Sequence, residues 1–405
     1  MTARNKNIPA LRFKGFTNEW TNKRIEDISE LTSSKRVYLS DYTENGIPFY
    51  RGKEISELKN NVVPSDILYI SENAYNEFKE KYGVPQKDDI LITAVGTLGN
   101  VLRIRNDTKF YFKDGNLIWF RKIIELSAFL EILLEVKKNQ IDKSSIGSTQ
   151  RALTMVELRK LVFPFPSLPE QQKIAFFLSA IDEKIRQLTR RKELLEQYKK
   201  GVMQQLFSGK LRFKDEQGKA YPKWEEKRLG DVGEIITGKT PSTTDLDLWG
   251  GEIQFITPTD IDGNKYQLKT QRTITKLSTT KILPPKSIIF TCIASIGKMS
   301  LSVKPSITNQ QINTIIPFKE FDNEYIYYSL LNLVDYIKST QSTTTLPIIN
   351  KTEFSKIKIP APKSFQEQQK IASFLSSIDT KIESVTAQIE RTKGYKKGLL
   401  QKMFV

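Results

Sequence analysis

The chain carries much of itself twice. Residues 170–185 and 367–382 are identical at 13 of 16 positions: Glu-Gln-Gln-Lys-Ile-Ala, then Phe-Leu-Ser, Ile-Asp and Lys-Ile. Tyr198-Lys199-Lys200-Gly201 returns as Tyr395-Lys396-Lys397-Gly398, again 197 positions later. Leu11-Arg12-Phe13-Lys14 returns as Leu211-Arg212-Phe213-Lys214. Two unrelated amphipathic helices would share a rhythm but not identities at a fixed offset. A tandem duplication accounts for both, so the fold must be built from two copies of one module.

Within each copy the most regular element is long. Ile174, Leu178, Ile181, Ile185, Leu188, Leu195, Val202 and Leu206 recur in a four-three rhythm, interrupted by Lys192 and Lys199. The same seam returns as Ile371, Leu375, Ile378, Ile382, Val385, Ile389, Leu399 and Met403, weakened by Thr392 and Lys396. One apolar stripe on a long helix demands a partner helix, and the chain supplies it. Ser167 with Glu170, and Ser364 with Glu367, have the spacing of a capping box, and Pro169 suits a first helical turn. The pattern predicts an α+β fold: two tandem-duplicated mixed α/β domains separated by two long helices packed as an antiparallel coiled coil. The boundaries are 1–166 for the first domain, 167–207 for the central helix, 208–363 for the second domain and 364–405 for the last helix. At 1.5 Å per residue a helix of about 40 residues spans roughly 60 Å, between one and two turns of B-DNA at about 34 Å each. The helices would then act as a ruler between two ends.

The domains read alike. Residues 89–95, 100–105 and 116–121 form a strand pattern in the first, matched by 287–294, 298–303 and 311–317 in the second. Helices are expected at 25–31 and 126–138, and at 229–236 and 324–338. Short strands ending at Pro164 and Pro166, or at Pro360 and Pro362, lead into the long helices, where proline stops ladder pairing. Trp20 and Trp224 sit beside apolar positions that both copies keep and read as core anchors.

Composition narrows the chemistry. Among 405 residues, 63 Lys+Arg against 46 Asp+Glu leave a formal charge of +17. Such an excess favours a polyanion, since each Lys or Arg placed on a phosphate releases condensed counterions. There is no histidine, which removes the commonest general base and metal ligand. The single cysteine, Cys292, excludes an internal disulfide framework. No run reaches the roughly 18 apolar residues of a membrane span, and residues 1–11 lack a signal-peptide core, so a cytoplasmic setting is expected.

Two catalytic-looking motifs fail on context. Gly233-Glu234-Ile235-Ile236-Thr237-Gly238-Lys239-Thr240 matches GxxxxGK[ST] literally. A phosphate loop, however, lies between a strand and a helix N-terminus. Here a helix is expected before it, ended by Gly238, and Pro241-Ser242-Thr243-Thr244 reads as a turn. Glu77-Phe78-Lys79 downstream of Asp66 loosely matches a metal-nuclease pattern, but the second copy has no counterpart. There is no Asn/Asp-Pro-Pro-Tyr/Phe stretch of an amino-methyltransferase, and Leu283-Pro284-Pro285-Lys286 lacks the acid or amide before its prolines. What remains are loops rich in groups that read base edges or hold phosphates. In the first copy these are Lys35, Arg36, Arg51, Lys53, Thr97, Asn100, Gln150 and Arg151. In the second they are Lys239, Thr240, Ser242, Thr257, Thr259, Lys298, Asn309, Gln310, Gln311 and Thr344. No catalytic or metal-binding residue is expected. Lys192, Lys199 and Lys200, among Leu194 and Tyr198, suggest a face for protein partners.

The Pro-x-Pro elbow, the Glu-Gln-Gln-Lys-Ile-Ala-x-Phe-Leu-Ser-x-Ile-Asp helix start and Gly238-Lys239-Thr240-Pro241-Ser242 together resemble the specificity subunit of type I restriction-modification systems. The resemblance covers essentially the whole chain. It departs at Ser34-Lys35-Arg36, where the second copy has Gly-Lys-Thr. It implies two target-recognition domains, each reading one half of a bipartite, asymmetric site on double-stranded DNA, with the helices setting the spacer. It also implies that this chain binds no cofactor. Two methyltransferase subunits using S-adenosylmethionine would dock on the helices, and nuclease/translocase subunits using ATP and Mg would join them. The alternatives are a stand-alone, repressor-like bipartite DNA binder, a Mg-dependent nuclease built on Glu77 and Lys79, and a coiled-coil scaffold.

Overall fold

The protein is described here from a computed structural model covering residues 7–60, 62–147, 151–276, 281–340 and 347–405. It divides into two compact units, Met1–Gln187 with Gln388–Val405, and Leu188–Ala387. The two long helices, Leu168–Phe207 of 40 residues and Phe365–Met403 of 39, are therefore each shared between the units.

In the first unit Ile174, Leu178 and Ile181, from the start of one helix, are buried in one core with Leu399 and Met403 from the end of the other. In the second, Ile371, Leu375 and Ile378 share a core with Val202, Met203 and Leu206. Start against end means antiparallel packing in each unit. Each fully buried Leu or Ile contributes roughly 1.5–3 kcal/mol of transfer free energy, so the seam is a major part of both cores. Leu188, Val385 and Ile389 are also buried, while Ile185, Leu195 and Ile382 are half-buried. Lys199 and Lys396, which read as breaks in the seam, are cross-helix partners instead. Lys199 meets Asp379 at 2.5 Å in the second unit, and Lys396 meets Asp182 at 2.6 Å in the first. Asp182 and Asp379 are themselves repeat equivalents, so one antiparallel register serves both units.

The helix starts also differ from expectation. Glu170 and Glu367 do not turn back as capping-box partners. Both are fully buried and each is gripped by the repeated arginine. Arg12 bonds Glu170 at 2.6 and 2.7 Å, and Arg212 bonds Glu367 at 2.8 and 3.0 Å. A buried carboxylate needs a cation more than a frayed helix end needs a cap. The next residue is equally occupied. Gln171 accepts from Leu126 N at 3.1 Å and donates to Glu125, while Gln368 accepts from Asp322 N at 2.8 Å. Phe13 and Phe177, like Phe213 and Phe374, meet edge to face at 5.6 Å. The repeated motifs Leu-Arg-Phe-Lys and Glu-Gln-Gln-Lys thus recognise each other.

Each unit opens and closes its globular part with one antiparallel pair: Thr21–Arg24 on Val162–Phe165, and Glu225–Arg228 on Lys358–Ala361. A single helical turn follows, Ile25–Ile28 or Leu229–Val232. It is shorter than the expected helices, because the chain then becomes a strand, Glu30–Thr32 or Gly233–Thr237. In the second copy β-branched Ile235, Ile236 and Thr237 pair antiparallel with Ile312–Pro317, and an apolar run this short fits either period. Gly238 therefore ends a strand, not a helix. In the first unit Glu30–Thr32, Leu117–Arg121, Ile90–Thr93 and Val101–Arg103 form an antiparallel sheet in that order. A second four-stranded sheet holds Tyr42–Thr43, Leu68–Ile70, Ile47–Tyr50 and Tyr111–Phe112. The second unit has five strands ordered Gly233–Thr237, Ile312–Pro317, Ile288–Thr291, Met299–Ser302 and Tyr266–Gln267. Beside them lie three ordered Arg272–Ile274, Trp249–Ile256 and Ser306–Thr308. The helices Ser127–Val136 and Asn323–Thr340 take the expected places. Trp20 is buried at 2% exposure against Phe129 and Phe404, and Trp224 is partly buried against Tyr325.

Candidate nucleic-acid interface

Each unit carries polar loops at the ends of strands of both its sheets, and one turn is built identically in both. In the first unit Thr93 Oγ1 donates to Thr97 O and accepts from Asn100 N, while Gly99 N bonds Thr93 O. In the second, Thr291 makes the same three contacts with Ser295, Lys298 and Gly297. Gly96, at φ 75°, is matched by Ala294 at φ 60°. Holding alanine in the left-handed region costs of order 1 kcal/mol, which the surrounding bonds must offset. The turn is a rigid mount, and its outward residues, Thr97 and Lys298, are exposed.

In the first unit this turn forms one wall of an open cleft of about 660 Å³, lined among others by Arg51, Lys53, Ser56, Asn60, Asp66, Thr97 and Asn116. Arg51 caps the helix Gly52–Lys59 and bonds the buried Glu54 at 2.6 Å. That contact raises the Arg51 pKa further, against burial, while Glu54 is pushed up by burial and held below its usual range by Arg51. Both groups therefore stay ionised, and part of the Arg51 charge is spent on Glu54 and Asp66. Lys53 is exposed, with Glu57 and Asp66 each 3.9 Å away. Asn100 donates to Ser56 at 2.8 Å, which ties the turn to the helix. Three of the expected residues thus line the cleft, Arg51, Lys53 and Thr97, and a fourth, Asn100, is bonded to its wall through Ser56. Arg36 pairs with Asp114 at 3.1 Å, two positions from Asn116, and Lys35 lies over the Tyr82 ring. Arg151 donates to the carbonyl of Asp142. Gln150 and Thr344 lie outside the described residues.

In the second unit four loops interlock. Gly238 is jammed against the strand end: a Cβ there would stand 2.3 Å from the carbonyl oxygens of Thr308 and Asn309. Thr240 donates to Gln310 at 2.8 Å, and Asn309 and Gln311 bond each other. Thr257 bonds Asp260 and Thr259, and Lys298 reaches Pro258 O at 3.2 Å. Ser242 shares a bond with Thr244. Lys239 is exposed and has no ion-pair partner among the described residues. The GxxxxGK[ST] match is thus mostly strand, Gly233–Thr237, and the first helical element after it is the 3-10 turn Leu246–Leu248. The helix before the motif is the single turn Leu229–Val232, and the strand falls inside the motif with no helix directly after it, so the phosphate-loop geometry is missing.

A family model described as the type I restriction modification DNA specificity domain matches residues 17–197 and 221–392. The chain belongs to that family. Part of the chain is similar to the MjaIX type I restriction enzyme specificity subunit of Methanocaldococcus jannaschii. That match is 35% identical over 181 residues, 43% of this chain and 42% of the relative. The HindI specificity subunit of Haemophilus influenzae is 36% identical over 172 residues, 40% of this chain and 38% of that one. The matched stretch is thus under half the length of these two relatives. A putative specificity subunit, MjaX of M. jannaschii, aligns at 26% identity over 94% of this chain and 92% of its own. In fold the chain is similar to a solved type I S subunit from M. genitalium, with TM-score 0.63, 19% identity, and coverage of 98% and 99%.

Other features of the specificity chain sort themselves around this site. Glu77 is exposed and pairs with Lys81 at 2.7 Å, while Asp66 faces Arg51 and Lys53. Lys199 is occupied by Asp379 and so drops out of the expected docking face, whereas Leu194, Tyr198 and Lys200 are exposed. Among the described residues no helix is long and apolar enough to cross a membrane. Sequence reasoning missed Ser56, Asn60 and Asn116, whose polar side chains are unremarkable until the cleft assembles them. It also missed Asp260, which accepts from both Thr257 and Gln271 N and so joins two loops.

Proposed function

We propose that this chain is the sequence-reading subunit of a type I restriction-modification complex. Each specificity domain reads one half of a bipartite, asymmetric site on double-stranded DNA. The observation that carries the reading is the doubled module: two family domains in one chain, each with polar and basic loops mounted on the same rigid turn, under a formal charge of +17. Phosphate contacts by the lysines and arginines supply affinity, and hydroxyl, amide and guanidinium groups on the loops supply base discrimination. The long helices set the spacer, and their exposed Leu194, Tyr198 and Tyr395 belong to surfaces for two methyltransferase subunits. Those partners would methylate adenine with S-adenosylmethionine, and nuclease/translocase subunits using ATP and Mg would join for cleavage. The chain itself contributes recognition and no chemistry.

The test is to express the chain with a methyltransferase partner in a host lacking other such systems and map methylated adenines by long-read sequencing. A bipartite motif with a fixed gap is expected. Tight, salt-sensitive binding of a bipartite site by the lone chain, with no methylation in the presence of the partner, would favour a repressor instead.

A further inference from the structure

Arg272 stands apart from the other arginines that lie on aromatic rings. Its guanidinium carbon is 3.4 Å from the centroid of the Trp249 ring. The guanidiniums of Arg121 and Arg212 lie 5.3 and 5.5 Å from theirs and are committed to Glu30 and Glu367. Arg272 is exposed, and no acid pairs with it among the described residues. The ring beneath it is fixed by two contacts of its own, and one of these leads back to Arg272. Trp249 Nε1 donates to Ser242 O at 2.9 Å, its edge meets Phe255 at 5.2 Å, and Phe255 is Arg272's own partner in the strand register.

This pair lies between two of the loops already described. Trp249 holds the 238–244 loop through Ser242. Gln271 N bonds Asp260 Oδ1 at 2.8 Å, which ties Arg272's neighbour to the 257–260 loop. Asp260 Oδ2 is taken by Thr257, so that carboxylate serves the loops. The result is a planar cation on an aromatic shelf, its donors unspent among the described residues, on strands tied to two loops that carry candidate base-reading groups. Stacking removes much of the rotamer freedom that an arginine otherwise loses on binding, and leaves the guanidinium edge free for a bidentate acceptor. Guanine offers that acceptor pair in the major groove through O6 and N7.

Resting on the DNA-recognition reading above, we propose that Arg272, positioned by Trp249, is a specificity-determining residue that reads one guanine in the half-site of the second domain. Lysine cannot replace it, because an ammonium supplies charge without the planar fork.

The experiment uses the full chain co-purified with its methyltransferase subunit and a duplex library carrying two randomised stretches at several separations. Bound DNA is sequenced for the unaltered chain and for Arg272→Lys, Arg272→Gln and Trp249→Leu. All three variants should lose preference for guanine at one position of one half-site, by about tenfold or more for Arg272→Lys and Arg272→Gln. The other half-site and the spacer should stay as they were. Unchanged selection by both Arg272 variants overturns the inference while leaving the DNA reading intact. So does a uniform loss of affinity across all sequences that Arg272→Lys restores, which marks a phosphate contact. Failure of the unaltered chain to enrich any bipartite motif sinks the DNA reading and this inference with it.

Discussion

The residues that hold each unit together at the root of its long helix are charged, and that fixes how they respond to change. Glu170 has no access to solvent and depends on Arg12, which comes from 158 positions earlier. Arg12→Met should destabilise the first unit by about 3–5 kcal/mol, since it strands a buried carboxylate. Arg12→Met with Glu170→Leu should recover part of the loss. Urea unfolding of the two proteins checks this, and equal destabilisation would show that the charge is not the cause. A second cluster should make the second unit acid-sensitive. Burial pushes the Glu324 carboxyl up, but hydrogen bonds from Lys265, Ser376 and Tyr266 outweigh it and leave the pKa below the usual 4.5. A carboxyl that is more acidic when folded contributes stability above its unfolded pKa and loses it as pH falls through the folded value. Melting temperature followed from pH 7 to pH 3 should therefore drop below about pH 4.5, with a shallower drop in Glu324→Gln. Parallel curves would remove Glu324 from the acid response.

At the scale of elements, each helix finishes the core of the domain that its own repeat did not build. Phe404, from the end of the second helix, stacks with Phe129 at 5.6 Å and meets Trp20 in the first unit. Its repeat equivalent Phe207 packs on Tyr325 at 5.7 Å in the second. The backbone repeats the arrangement, with Leu11 N on Lys402 O and Leu211 N on Gln205 O. Phe404→Ala should cost about 3–5 kcal/mol and speed hydrogen exchange in the helix Ser127–Val136 while sparing Asn323–Thr340. Equal protection loss in both helices would refute a local role. The helices were legible in the sequence because a seam of eight apolar positions leaves one period open, and the duplication doubled the signal. The turn after Val232 was not, because Gly233–Thr237 is five residues long and suits helix or strand equally until Ile312–Pro317 pairs with it. Glu170 was misread for a related reason. Ser167 is three positions away and visible as a cap, whereas Arg12 is far away in sequence. The loop residues named as DNA-reading were chosen by chemistry alone, which picked out Arg51, Lys53 and Thr97 of the cleft lining but could not see which loops converge.

At the scale of the whole molecule, the proposed spacer function makes a length prediction that the helices themselves specify. Each runs unbroken through its 40 or 39 residues and contributes to both units. The ion pairs Lys199–Asp379 and Lys396–Asp182 share one antiparallel register. In that register Gln197 of the first helix stands opposite Lys381 of the second. Seven residues inserted after Gln197, with seven more after Thr380, therefore lengthen both helices at one level and keep the apolar seam in phase. The added rise is about 10 Å, up to about three base-pair steps of B-DNA at 3.4 Å each. Methylation mapping should then find the same two half-site sequences with a longer gap, and loss of the original spacing. Insertion into one helix alone breaks the register on one side of the seam and should reduce stability before it changes the spacer. A protein with both insertions that still methylates only the original spacing would separate the helices from the ruler role, whatever the domains read.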